Sequence, residues 1–223
     1  MNRASKRSRA VHRTHQRWEW AVLAGLAAGL LWVVPFGVQL IRTDWAFIEP
    51  RHQIAVWIQG REPFTLPQWS RAYGQMRHAL AVSPENPVLH EHMAALLALR
   101  GQRHWQSHAL RRAFFLDARR HQETSLRLRP TNGRTWAGLA LSLHALQADR
   151  ATLIHAIERA HRYAPHDPTV QRQLAALVLA RWHEVGPAQR NWLRGLYADQ
   201  GTRQRLQLDR LMRTHGVRFS ASG

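Results

Sequence analysis

Ala164-Pro165-His166-Asp167-Pro168 stands between two apolar, helix-like runs, and the chain uses the same punctuation twice before it, at Ser83-Pro84-Glu85-Asn86-Pro87 and Arg129-Pro130-Thr131-Asn132-Gly133. Each stretch reads as the joint between two helices. The residue before a proline is pushed out of the helical region, which ends the preceding helix, and an Asn or Asp two residues on supplies an oxygen for the first amides of the next. The expected class is therefore all-α, with the joints setting the phase of the helices between them.

Working outward from the prolines recovers a repeat. Pro130 and Pro165 are 35 residues apart, and Pro84 and Pro130 are 46 apart. Five positions before the prolines stand Ala79, Ser125 and Ala160, and eight before them Met76, Gln122 and Ile157. Nine positions after them stand Met93, Leu139 and Leu174, and ten after them Ala94, Ala140 and Ala175. Small residues recur where helices must approach closely and large ones where gaps need filling. The 35-residue spacing is close to the tetratricopeptide period, so residues 68–215 are expected to form an α-α repeat (TPR-like) domain. Its middle unit departs from the pattern, with polar Gln122 and Ser125 in apolar slots and a helix expected to run from Arg103 to Leu128.

Upstream the sequence changes character. Residues 1–17 hold six basic side chains and no acid, as in a cytoplasmic tail, and residues 20–41 hold no charge. A run of that length is expected to cross a membrane, so residues 18–43 are assigned as a transmembrane helix with Trp18, Trp20 and Trp45 near the interfaces. The basic tail orients the span with its N-terminus in the cytoplasm, which makes the expected protein a single-pass bacterial inner-membrane protein with a periplasmic C-terminal domain. Residues 44–67 then read as a membrane-proximal helix and linker, and 216–223 as a flexible tail.

The formal net charge is +18, from 32 Lys+Arg against 14 Asp+Glu. Such a surplus raises polyanions as partners. The expected periplasmic placement disfavours nucleic acid and leaves anionic lipid head groups and acidic glycans. Cysteine is absent, which excludes disulfides, thiolate metal sites and a cysteine nucleophile. Neither G-x-S-x-G nor a glycine-rich phosphate loop occurs, and the acids are scattered singly, so no catalytic residue and no cofactor is assigned and the protein is expected not to be an enzyme. His104 and His108 lie one turn apart and His90-Glu91-His92 precedes them, but Ala94 stands where H-E-x-x-H would need its second histidine, so no metal site is assigned.

The order of parts resembles the membrane-anchored tetratricopeptide proteins of bacterial exopolysaccharide biosynthesis clusters, of the VpsP type. The residues that carry it are A-x-W-x-Q at Ala55 to Gln59, W-x-x-A followed by A-L between Trp69 and Leu80, and S-P-E-N-P-x-x-x-E at Ser83 to Glu91. Thr135-Trp136-Ala137 after the arginine-proline joint, V-Q-R-x-L at Val170 to Leu174, and R-x-H-G at Arg213 to Gly216 complete it. The resemblance implies a periplasmic scaffold that assists synthesis or export of a surface polysaccharide through contacts with the proteins of that complex. Two alternatives accompany it: an assembly factor for another envelope complex, such as one for cytochrome maturation, and a direct binder of acidic glycans through the arginine-rich face. Carrying the groove positions of stacked helix pairs onto this chain selects Glu91, Arg134, His144 and Arg172 as partner-binding residues. Among these, Arg134 and Arg172 would offer bidentate donors to a carboxylate.

Overall fold

In a computed structural model of the chain, the residues described are 52–58, 63–103, 107–199 and 201–217, together with Gly29. The chain divides into two compact units, Met1–Glu49 and Pro50–Gly223, and the helices below belong to the second. Among the described residues, a helical segment at 52–58 is followed by eight helices: α1 (Leu66–Val82), α2 (Pro87–Arg103), α3 (His108–Leu128), α4 (Gly133–Ala145), α5 (Arg150–Tyr163), α6 (Pro168–Ala180), α7 (Pro187–Asp199) and α8 (Thr202–Thr214). No strand occurs among the described residues.

Packing follows the order expected of stacked helix pairs. Each helix from α1 to α6 meets the next, and the alternate helices also meet, α2 against α4, α4 against α6 and α6 against α8. The result is an all-α helical-repeat domain with TPR-like stacking, in which α2, α4, α6 and α8 form one row. One core gathers Leu126, Leu139, Leu143, Leu153, Ile157, Val170, Leu174 and Leu177, and the next gathers Val178, Leu179, Leu193, Leu208, Met212 and Val217.

The three joints repeat in atomic detail. Before each proline the backbone amide closes the outgoing helix, Ser83 to the Ala79 carbonyl, Arg129 to Ser125 and Ala164 to Ala160, at 2.8, 2.8 and 3.0 Å. After it Asn86, Asn132 and Asp167 cap the incoming helix, their side-chain oxygens accepting from the amides of Val88, of Arg134 and Thr135, and of Thr169 and Val170. A further correspondence was not visible from residue classes. The side chain six positions after each proline donates back to that proline's carbonyl, from Trp136 Nε1, Gln171 Nε2 and His90 Nε2, each at 2.8 Å. All the residues at the four offsets that define the repeat are buried, none more than 6 % exposed.

The irregular middle unit has a definite form. Helix α2 does not stop at Gly101 but continues to Arg103, and α3 begins at His108 with Ser107 as its cap. Gly101 is a point of close approach: a Cβ there would lie 3.0 Å from the Phe115 ring. Helices α2 and α3 are 17 and 21 residues long, against 13 and 14 for α4 and α5, and this extra length accounts for the wider spacing of the first two prolines.

The expectation of a membrane-anchored chain is corrected here. Among the described residues no helix is long and apolar enough to cross a membrane. The physical reason is visible in the longest of them, α3, which carries Arg111, Arg112, Asp117, Arg119, Arg120, Glu123 and Arg127 along its 21 residues. The expected span at 18–43 lies outside the described residues apart from Gly29, as do the tail at 1–17 and, within the expected membrane-proximal segment at 44–67, residues 44–51 and 59–62. The finding that stands is the helical-repeat domain itself. Single-pass topology, periplasmic placement, and the polysaccharide and envelope-assembly roles built on them do not carry forward.

Candidate functional site

Glu91 was expected to face a groove, and instead it clamps two repeats together. Its Oε1 accepts from Asn132 Nδ2 at 2.7 Å and from Ser125 Oγ at 3.0 Å, with the Arg129 guanidinium 3.7 Å away. This also explains the polar misfit in the middle unit. Ser125 is fully buried where the other repeats carry alanine, and Glu91 supplies the acceptor that its hydroxyl needs.

Arg134 also reaches the next joint. Its Nε donates to Asp167 Oδ2, so Asp167 caps α6 and holds α4 with one carboxylate. Burial opposes ionisation of Asp167, but the Arg134 hydrogen bond and the amides of Thr169 and Val170 outweigh it and hold the carboxyl below its ordinary value.

His144 lies at the far end of α4 and accepts at Nδ1 from Arg181 Nε at 3.1 Å. Arg181 is largely buried, and its Nη1 grips both oxygens of Glu184 at 2.8 and 2.7 Å. Burial, and next the adjacent Arg181 charge, hold His144 below the usual imidazole range. Neutral His144 therefore carries its proton on Nε2. Sequence reasoning missed Arg181, since nothing in Leu179-Ala180-Arg181-Trp182 separates a buried arginine from the many solvated ones.

Arg172 meets an open, apolar space. It occupies the slot seven residues after its proline, the slot of Glu91 and Ala137, but here the next member of the row is α8. Pro168, Gln171 and Arg172 of α6, Leu196 of α7, and Gln207, Leu208 and Leu211 of α8 enclose a pocket of about 80 Å³. The Arg172 side chain is exposed; its Nε donates to the Pro168 carbonyl at 3.2 Å and its Nη2 reaches Thr169 Oγ1 at 3.5 Å, both neutral acceptors. The structure thus does not join the four expected residues into one surface. Three are spent on tying repeats together, and Arg172 borders the pocket between α6 and α8. Among the described residues no three His, Asp or Glu side chains converge as a metal cage would need.

Comparison of the chain with protein-family models, with curated proteins and with solved structures gave no match.

Proposed function

We propose that this domain is an adaptor that captures a peptide bearing a carboxylate next to an apolar side chain, in the groove between α6 and α8. The observation that carries the reading is the composition of the pocket wall, in which, among the described residues, Arg172 is the one charged side chain beside three leucines, a proline and two glutamines. An arginine held by neutral acceptors keeps donors for an incoming anion and presents them in a fixed fork. The leucines beside it supply apolar area that a peptide side chain can bury and a sugar cannot. Row helices that line such a groove are the usual interaction surface of stacked helix pairs.

The test is an array of short peptides ending in Leu, Ile or Phe, each with a free or an amidated C-terminus. Binding is expected for free carboxylates, to fall on amidation and with added salt, and to weaken at least about 10-fold in Arg172→Ala, the loss of one charge-assisted hydrogen bond or more. Equal binding of the amidated peptides, or an unchanged affinity in Arg172→Ala, would rule the reading out.

A further inference from the structure

A second, chemically different cleft lies near the first joint, where α1, α2 and α3 meet. It encloses about 370 Å³ and is lined by Tyr73 of α1, His90 of α2, and Asp117, Arg120, His121 and Thr124 of α3, among others. Its central feature is a contact between two imidazoles, His90 Nδ1 and His121 Nδ1, 2.8 Å apart.

The protons in that contact can be placed by elimination. His90 Nε2 lies 2.8 Å from the Pro84 carbonyl, which can only accept, so Nε2 carries the proton. The repeat supports this assignment independently. The equivalent positions hold Trp136 and Gln171, and each donates to its own proline carbonyl from an N–H group. With its proton on Nε2, neutral His90 presents a bare Nδ1. The short contact with His121 then requires the proton of His121 Nδ1, and neutral His121 is left with its lone pair on Nε2, at the far side of the ring. One imidazole thus fixes the tautomer and the ring plane of the other, as the outer partners of metal-bound histidines do.

The second donor stands one turn earlier. Asp117 precedes His121 by four residues on α3, the spacing at which side chains share a helix face. Its Oδ1 accepts from exposed Arg120 at 2.9 Å, which leaves the other oxygen of the carboxylate. An imidazole nitrogen and a carboxylate oxygen together suit borderline transition cations better than magnesium or calcium.

We propose that the cleft binds a divalent transition-metal cation through His121 Nε2 and the Asp117 carboxylate, with His90 as the positioning residue. No third His, Asp or Glu joins them as a ligand set among the described residues, so the remaining coordination positions belong to water or to a group from a bound partner. Such an open two-point site sits in a strongly basic protein, which lowers its affinity, and it would be of a kind that exchanges its metal rather than one that holds the fold together.

The experiment is a titration of the full chain with Cu²⁺, followed through the histidine and Tyr73 side-chain resonances, with Zn²⁺ binding measured calorimetrically beside it. Paramagnetic broadening is expected at His121 and Tyr73 before the rest of the fifteen histidines. Asp117→Asn should abolish that preference while leaving the fold intact. His90→Ala should weaken Zn²⁺ binding by about 10- to 100-fold, the usual cost of losing an outer partner. His90→Asn, whose side-chain oxygen can still accept from His121 Nδ1, should recover most of it. Uniform broadening of all histidines, earliest broadening elsewhere in the chain, or equal Zn²⁺ affinity in Asp117→Asn would each overturn the proposal.

Discussion

Glu91 and Asn132 are 41 residues apart in sequence, and the Asn132 amide donates to Glu91 Oε1 at 2.7 Å. The same Asn132 caps α4 with its side-chain oxygen, so one residue uses its donor to face the previous repeat and its acceptor to start the next helix.

Removing the carboxylate should therefore release two donors at once, one of them on fully buried Ser125. Glu91→Ala is expected to cost about 2–4 kcal/mol, from lost hydrogen bonds to a charged group and an unsatisfied buried hydroxyl. Glu91→Gln should cost less, since its amide oxygen still accepts. Urea denaturation midpoints of the two variants check the order, and the Ser125→Ala background should reduce the penalty of Glu91→Ala.

Gly133 opens α4 directly beneath the third joint. A Cβ there would stand 2.5 Å from Ala164 Cβ and 2.8 Å from its backbone nitrogen, and backbone cannot rotate away as a flexible side chain can. Gly133→Ala is expected to destabilise by about 1–3 kcal/mol, the usual cost of overpacking. By contrast Gly195→Ala, where nothing lies within 4 Å, should be neutral or slightly stabilising. Thermal unfolding of the pair separates the steric effect from helix propensity.

Three histidines give the fold a predictable response to acid. His121, His144 and His161 all have folded-state values below the ordinary one, chiefly through burial. In the unfolded chain they bind protons near pH 6.5, so below that point the unfolded state takes up more protons than the folded state. The stability they contribute is complete above about pH 6.5 and is lost as the pH falls through their depressed values. Asp167, also depressed, acts in a lower window: its contribution is present above its unfolded value of about 3.9 and is lost only as the pH falls through the folded one. Denaturation midpoints should therefore decline between pH 7 and 5 and again below pH 4. A midpoint that rises between pH 7 and 5 would contradict the assignment.

Arg181 offers a direct check on His144. With the guanidinium removed in Arg181→Ala, the second largest influence holding His144 down disappears while Glu184 remains. The His144 titration midpoint should move up toward the ordinary imidazole value, as followed by NMR. The Arg134–Asp167 pair is a contrasting case: Arg134 is 75 % exposed, and a double-mutant cycle should give a coupling of only about 0.2–1 kcal/mol.

The prolines made the fold legible. Each is a local, nearly context-free signal, and the offsets around them named Met76, Leu139, Ala140 and Ala160 as interior, all of which are buried. Gly101 shows the limit of such signals: a glycine that ends a helix and one that admits a neighbouring ring look alike in sequence, and Phe115 is what distinguishes them. The contacts of the expected partner-binding residues were not legible in the same way. Glu91 and Arg134 have the chemistry of ligand-binding groups, but that chemistry is spent on Asn132 and Asp167, partners 41 and 33 residues away that no local window reveals. His121 went unnoticed for the same reason: its significance depends on His90, 31 residues earlier.

The clamp at Glu91 also has a consequence for how the domain comes apart. In an array whose units touch only their neighbours, unfolding can proceed one unit at a time from either end. A half-buried carboxylate of α2 that binds both α3 and the second joint ties α2, α3 and α4 into one cooperative block, whereas α7 and α8 are the last of the described helices. Amide exchange should accordingly find α7 and α8 opening first, with α2 to α4 holding out together until global unfolding.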